Sequence, residues 1–249
     1  LTIIIDVNID NDKFKNTQQL RQVMMAYFPP RQTNTKSLKS GAAFDALKRD
    51  IMLGVLEPGT GLTELELAAH FQCSQGTVRE ALLQLQEEGL VLRKGRRGTQ
   101  VSECTEDEAI EMFRLRQQIE GNGMVRVMRS PSRTLIKDLG ELLNKMLKAA
   151  AAADELELAS FDRDFHRRIF EDANLPALDP ILHRCLVHNH RFKISRSPMS
   201  RDLEATALRH RSIIEAIESG DPRRATVSMQ HHIATIVDLG PEVFPEAVQ

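Results

Sequence analysis

Apolar residues along this 249-residue chain recur mostly at helical spacing, and the exceptions are concentrated in one short stretch. Phe44, Leu47 and Ile51 lie three and four positions apart, one face of a helix that Gly54 can end. Pro58-Gly59 marks a turn. Thr63-Glu64-Leu65-Glu66 has the spacing of a capping box, in which a hydroxyl and a carboxylate satisfy free amides at a helix start. The helix it opens carries Leu67 and Ala68 and stops near Gln72. Ser74 is the N-cap of a third helix with the stripe Val78, Ala81, Leu82 and Leu85, closed by Gly89. Leu90–Leu92 and Thr99–Val101 are β-prone runs on either side of Arg93-Lys-Gly-Arg-Arg-Gly98, which predicts a hairpin. Thr105-Glu-Asp-Glu108 is a second capping box. From there helical periodicity continues to about Leu239, with breaks near Ser130-Pro131, Ala153-Asp154, Asn174–Pro176, Ser197-Pro198 and Gly220–Pro222, so about six helices are expected. Asp221-Pro222 pairs an N-cap with a proline at the first helical position.

This order predicts a mainly α chain. Residues 40–102 read as a winged helix-turn-helix, in which two helices hold a third for insertion into a DNA major groove and the hairpin forms the wing. Residues 103–239 read as an all-helical bundle, 240–249 as a tail, and 1–39 as an extension of undefined role. Composition agrees: aromatic residues are 4% of the chain, and Trp is absent, which favours helices over sandwiches and barrels.

Charge changes the picture only locally. The 33 basic and 35 acidic side chains leave a formal net charge of −2, and residues 39–102 balance at eight of each sign. The average therefore gives no hint of a polyanionic partner. The hairpin does, because Arg93, Lys94, Arg96 and Arg97 place four basic groups within five residues, able to meet phosphates or reach a minor groove. A neutral domain with a basic tip implies modest non-specific affinity and dependence on a defined site and a dimer. Cys73, Cys104 and Cys185 are too few and too scattered for a disulfide framework, which suits a reducing compartment. The apolar start Leu1–Asp6 is too short for a signal peptide and lacks a basic lead, and there is no apolar run of membrane-spanning length; a cytoplasmic location is expected.

Seven of the eight histidines lie between 166 and 232. Asp162 and His166 share a helix face, His210 shares a stripe with Ile214 and Ile217, and His232 shares one with Met229 and Ile236. Three imidazoles and a carboxylate aimed into a bundle suit a divalent transition metal. Ordinary core histidines and a helix-surface pair fit the same spacing, and His183, His188, His190 and His231 compete for the same role.

Taken together, these motifs resemble a known family. Gly54-Val-Leu-Glu-Pro-Gly59, Leu62-Thr-Glu-Leu-Glu-Leu-Ala68, Val78-Arg-Glu-Ala-Leu82 and Glu88-Gly-Leu-Val91 resemble the DNA-binding domain of GntR-family bacterial transcription regulators. Arg116-Gln-Gln-Ile-Glu120, Asp162-Arg-Asp-Phe-His166, Asn174-Leu-Pro, His210 with Ile213–Ile217, Gly220-Asp221, Ala225 and Met229-Gln-His-His232 resemble that family's FadR-type effector domain, often called FCD. The likeness spans about residues 40–237.

The resemblance implies a homodimer on a pseudo-palindromic double-stranded operator. It also implies a divalent metal (zinc first, nickel or manganese as alternatives) held by Asp162, His166, His210 and His232, and a small carboxylate effector that fills the metal's open positions. It selects His232 over His231. Arg116 and Asn174 would contact the effector; a structural ion pair with Glu120 is the competing role for Arg116. Ser74, Gln75, Gly76, Thr77 and Arg79 match the family's phosphate- and base-contacting stretch, with Lys94, Arg96 and Arg97 on the wing. The chain departs from the family pattern at Gln75, commonly Arg, at Gly76-Thr77, commonly Thr-Pro, and at Leu65, often Arg. Arginine reads guanine and glutamine prefers adenine, so an operator unlike the common consensus is expected. The expected function is thus a metal- and acid-responsive DNA-binding regulator, most simply a repressor. A metal-dependent helical hydrolase and a regulator that senses the metal itself are the alternatives.

Overall fold

The structure, a computed structural model, describes residues 40–95, 98–196 and 202–235. The extension 1–39, the wing arginines Arg96 and Arg97, Ile236 and the tail 240–249 lie outside the described residues.

The first part runs α1 (Ser40–Met52), β1 (Gly61–Leu62), α2 (Glu64–Phe71), α3 (Gln75–Glu87), β2 (Val91–Arg93) and β3 (Thr99–Val101). Local chemistry sets the ends. The amide of Glu66 donates to the Thr63 hydroxyl at the start of α2, and that of Thr77 donates to the Ser74 hydroxyl at the start of α3. Gln72 ends α2 in the left-handed conformation, so the turn to Ser74 takes only three residues. β2 and β3 pair antiparallel, Val91 opposite Val101. β1, which the apolar pattern does not predict, pairs with the other edge of β3, Leu62 opposite Thr99. It is two residues long, too short to show alternation.

The second part is all helix: α4 (Glu106–Val127), α5 (Leu135–Ala151), α6 (Glu155–Asp172), α7 (Asp179–Arg196), α8 (Leu203–Leu208), α9 (Arg211–Glu218) and α10 (Pro222–Ala234). Among the described residues there are seven helical segments where about six are expected. The additional break falls at Arg209–His210, where no glycine or proline announces it. The His210 backbone stays right-handed helical, and the chain tightens through three-residue bonds, Ala207 O to His210 N and His210 O to Ile213 N.

Two buried clusters result. One joins Leu47, Ile51, Leu67, Val78, Leu85 and Val101 of the first part, and takes in Val187 from α7. The other fills the bundle with Phe113, Met124, Leu139, Met146, Phe165, Phe170, Ile213 and Met229. α7 lies between the two and is buried on both sides: His188, Asn189, His190, Arg191 and Lys193 are all buried.

A close approach of α4 to α6 positions the site described next. A Cβ on Gly123 would stand 2.8 Å from the Phe170 ring. Glu120 lies one turn before Gly123, and His166 one turn before Phe170, so the same crossing brings that carboxylate and that imidazole together. Gly123→Val overpacks the crossing and is expected to cost about 1–3 kcal/mol, read as a lowered denaturation midpoint with an unchanged denaturant slope.

Candidate metal centre and nucleic-acid interface

Four ligand-bearing side chains converge inside the bundle. His166 on α6, His210 at the α8–α9 junction and His232 on α10 are buried, and each offers a ring nitrogen within 4.8 Å of the others. Asp162, one turn before His166, is buried beside them, its Oδ1 3.2 Å from His210 Nε2.

Hydrogen bonds fix which nitrogens carry protons. His210 Nδ1 donates to the Ala207 carbonyl at 3.1 Å, so Nε2 keeps a bare lone pair. His166 Nδ1 donates to Glu120 Oε2, again leaving Nε2 bare. Neither ring nitrogen of His232 has a partner, and His166 Nε2 and His210 Nε2 make no hydrogen bond. Burial, reinforced by His210 and His166 alongside, holds His232 well below the usual imidazole pKa, so it is neutral. Burial likewise lowers His166, although Glu120 opposes the shift. Burial raises Asp162, but His190, which bonds it, and Lys193 nearby outweigh burial and hold the carboxyl well below its ordinary value. Bare imidazole nitrogens and an ionised carboxylate facing one another in a buried space carry an uncompensated desolvation cost. A divalent cation removes it, and nitrogen–carboxylate donors suit zinc and its neighbours. The residues therefore fit the metal that the sequence suggests.

The competing histidines separate by what they touch. His190 Nε2 donates to Asp162 Oδ2 at 2.9 Å, and its Nδ1 faces Arg163 at 3.4 Å. Burial drives its pKa down to about 3. Both nitrogens are engaged, so His190 orients the carboxylate and leaves Oδ1 for a ligand. His183 bonds Glu88 at 3.2 Å, and His231 is exposed. His188 lies buried where α7 meets the first part.

Arg116 has no exposed surface, and its Nε donates to Glu120 Oε1 at 2.7 Å. This is the structural ion pair, and it places Arg116 behind Glu120 and His166. Arg116 is not among the residues that line the adjoining cavity, although its two terminal nitrogens have no partner. Asn174 is elsewhere: it follows α6 in a left-handed conformation, exposed, beside a separate surface hollow lined by Arg167, Phe170 and Asp179. Its sequence signal is that of a helix stop.

The cavity beside the centre measures about 290 Å³ and is lined by Asp162, His210 and His232 with Lys193, Asp202, Ala205, Thr206 and Arg209. Lys193 and Arg209 are not indicated by spacing. α7 has no polar face on which Lys193 would stand out, and Arg209 belongs to the break that the pattern does not show.

At the other end of the molecule, Ser74, Gln75 and Gly76 stand exposed at the start of α3, where free amides and the helix dipole favour phosphate. Thr77 is half-buried, its hydroxyl 2.9 Å from that of Ser74. Arg79 is exposed but not free: it forms a bidentate pair with Glu64 of α2, NH2 to Oε2 at 2.6 Å and Nε to Oε1 at 3.0 Å. Lys94 is exposed on the wing.

A polar chain joins the two ends. Asp162 bonds His190, His190 meets Arg163, and Arg163 lies within electrostatic reach of Glu88, just beyond α3. Glu88 bonds Lys48 of α1 at 2.7 Å and His183 of α7 at 3.2 Å. Nearby, Arg191 donates to the Ser102 carbonyl at 2.8 Å. Burial, with Arg191 and Arg184 adding to it, lowers the His188 pKa to about 4. The unfolded chain therefore binds a proton that the folded chain refuses. The His188 contribution is fully present above pH 6.5 and is lost as pH falls through about 4. Stability is expected to drop by up to about 3 kcal/mol over that window, and His188→Gln should flatten this part of the curve in chemical denaturation at stepped pH.

A helix-turn-helix with a wing, tied to a helical domain that encloses a histidine cluster, defines a two-domain DNA-binding regulator. Comparison with known proteins agrees. Residues 39–101 match the family described as bacterial regulatory proteins, gntR family, and residues 111–235 match the FCD domain. The chain belongs to the GntR family and carries an FCD domain. It is 26% identical over 200 residues to a probable D-xylose utilization operon transcriptional repressor of Paenarthrobacter nicotinovorans, covering 80% of this chain and 88% of that one. It is 29% identical over 182 residues to the gluconate operon transcriptional repressor of Bacillus licheniformis, covering 70% and 74%. The fold is shared with E. coli McbR/YncC, at TM-score 0.62 and 22% identity over 79% of this chain and 96% of that one. It is also shared with a putative GntR regulator from Rhodococcus sp. RHA1, at 0.64 and 20% over 83% and 98%. The family and these relatives are regulators, which sets the hydrolase alternative aside. No helix of the described residues is long and apolar enough to cross a membrane.

Proposed function

We propose that this regulator is a cytoplasmic repressor that binds operator DNA as a homodimer and is controlled by a small organic acid held on a divalent metal. The observation that carries the reading is the cluster of His166, His210 and His232 ring nitrogens within 4.8 Å of one another, with Asp162 buried beside them. The metal would be held by these four residues, zinc first and nickel or manganese as alternatives. Bound there, it supplies a Lewis acid that takes an effector carboxylate. Glu120 orients His166, Arg116 neutralises Glu120, and His190 turns Asp162 toward the centre. The names of two relatives, repressors of D-xylose and gluconate operons, support repression and a small hydroxylated effector.

The polar chain from Asp162 through His190 and Arg163 to Glu88 gives effector binding a route to α1 and the end of α3. It transmits a signal only if the effector binds two arrangements of the chain with different affinity. On DNA, the amides at the start of α3 take a phosphate and Gln75 reads a base edge, with adenine favoured. Arg79, held by Glu64, and Lys94 supply positive charge, with Arg96 and Arg97 proposed beside them on the wing.

Selection from randomised duplexes, with the full chain loaded with zinc, tests the reading. An inverted repeat is expected, with binding that falls steeply with salt. Arg79→Ala is expected to lower affinity and, if Arg79 meets phosphate, to reduce the salt slope by about 0.9; a base contact would instead relax one position of the motif. Recovery of no motif would sink the DNA assignment. Separate titrations of zinc and of organic acids against the selected duplex tell acid sensing from metal sensing.

A further inference from the structure

α4 buries one side and leaves the opposite side bare. Phe113, Glu120 and Met124 face the bundle. Glu111, Leu115, Gln118, Asn122, Val125 and Arg129 are all exposed, and the two apolar members of this set show 48% and 41% of their surface. At about 100° per residue, the six fall within about 80° of one another, directly opposite Glu120. Arg129 lies just past the helix end, but its amide donates to the Arg126 carbonyl, so the chain is still turning there. Successive members are four, three, four, three and four residues apart. That alternation is the a and d spacing of a coiled-coil seam, here about 27 Å long.

The order of side chains along the seam is self-complementary. Reversed about residue 120, Glu111 falls on Arg129, Leu115 on Val125 and Gln118 on Asn122. We propose that this face of α4 pairs with the same face of a second copy of the chain, antiparallel across a two-fold axis. This rests on the homodimer reading above and adds the surface to it. Each a position then meets a d position of the partner. An ion pair closes each end of the seam, a leucine–valine layer lies inside each ion pair, and the amides meet at the centre. Other alignments lose this match. Parallel pairing sets Glu111 against Glu111 and Arg129 against Arg129, which like-charge repulsion disfavours. A slip of one heptad sets Leu115 against Gln118 and Glu111 against Asn122, and a polar residue at an a position is a known device for fixing register. Within one chain Glu111 meets only the exposed Arg114 among printed ion pairs, three residues on, a contact worth little by itself. A two-fold axis through the middle of α4 also matches an inverted-repeat operator.

Sedimentation velocity of the full chain over a range of concentrations tests the proposal. Glu111→Arg and, separately, Arg129→Glu place like charges at both ends of the seam and are expected to raise the dimer Kd about tenfold or more. The double variant Glu111→Arg, Arg129→Glu should return to the wild-type Kd. An equal mixture of the two single variants should do the same, because the unlike chains complement each other at both ends. Leu115→Asp sets a carboxylate against the partner's Val125 and should also dissociate the dimer. The substituted side chains are exposed, so the helical circular dichroism and the zinc content of each variant should match wild type, which separates pairing from folding. A dimer that none of the single variants weakens lies on another face; that overturns this proposal and leaves the homodimer standing. Weakening that neither the double variant nor the mixture rescues overturns the antiparallel register. A wild-type chain that stays monomeric in solution and on its selected duplex overturns both readings together.

Discussion

His232→Leu is expected to move stability in opposite directions with and without metal. In the metal-free chain His232 is buried with neither ring nitrogen bonded. Burying such a group costs about 1–3 kcal/mol, and leucine removes that cost while filling much of the same space. The metal-free variant should therefore unfold no earlier than wild type, and up to about 2 kcal/mol later. The metal-loaded variant should fall far behind, because one ligand is gone. A metal present at 100 times its Kd stabilises the wild type by about 2.7 kcal/mol, and the variant should lose most of that gain. Replacing His210 and His232 together with alanine should abolish stoichiometric metal. Thermal denaturation with added zinc and with chelator, alongside elemental analysis, reads both. Metal retained at one equivalent in the double variant would remove the histidines from the site.

Glu120→Ala should be the more damaging substitution for folding. Glu120 is the counter-charge for Arg116, which has no exposed surface, and it also holds His166. Burial raises the Glu120 carboxyl, yet Arg116 and His166 outweigh burial and keep it ionised. Removing one member of a buried pair strands the other, at about 3–5 kcal/mol. The orientation of His166 is lost as well, which should weaken metal binding by roughly 10–100-fold. The double variant Arg116→Met, Glu120→Leu separates the two effects. It leaves no stranded charge and should recover much of the stability, but it does not restore the bond to His166, so metal affinity should stay low. Recovery of both together would mean that Glu120 acts on the metal only through folding.

The sequence shows most plainly what periodicity and caps write. The helices of both parts, the two capping sites at Thr63 and Thr105, and the hairpin around the wing follow from local chemistry. The site was half legible. Asp162 and His166 are visible because four-residue spacing puts them on one face, and His210 and His232 because they sit on apolar stripes. Asp162 could not be joined to His190, because α7 is buried against two partners and shows no single polar face. Glu120 is visible as a neighbour of Arg116 but not of His166, since that contact depends on the Gly123–Phe170 crossing. Asn174 carries a helix-ending signal that the family resemblance turns into a ligand contact, and the structure leaves it away from the cavity.

Val187 is a residue of the effector half that belongs to the core of the DNA-binding half. A helix far downstream in the chain thus completes the packing around α1 and α3, with Leu156 and Ile194 beside it. The two halves are not interchangeable cassettes. Grafting this DNA-binding segment onto another effector domain would expose an apolar seat unless the new partner brought its own plug. A substitution on either side of this shared surface must keep the shape of the other, which ties the DNA-binding half to the FCD half through their packing.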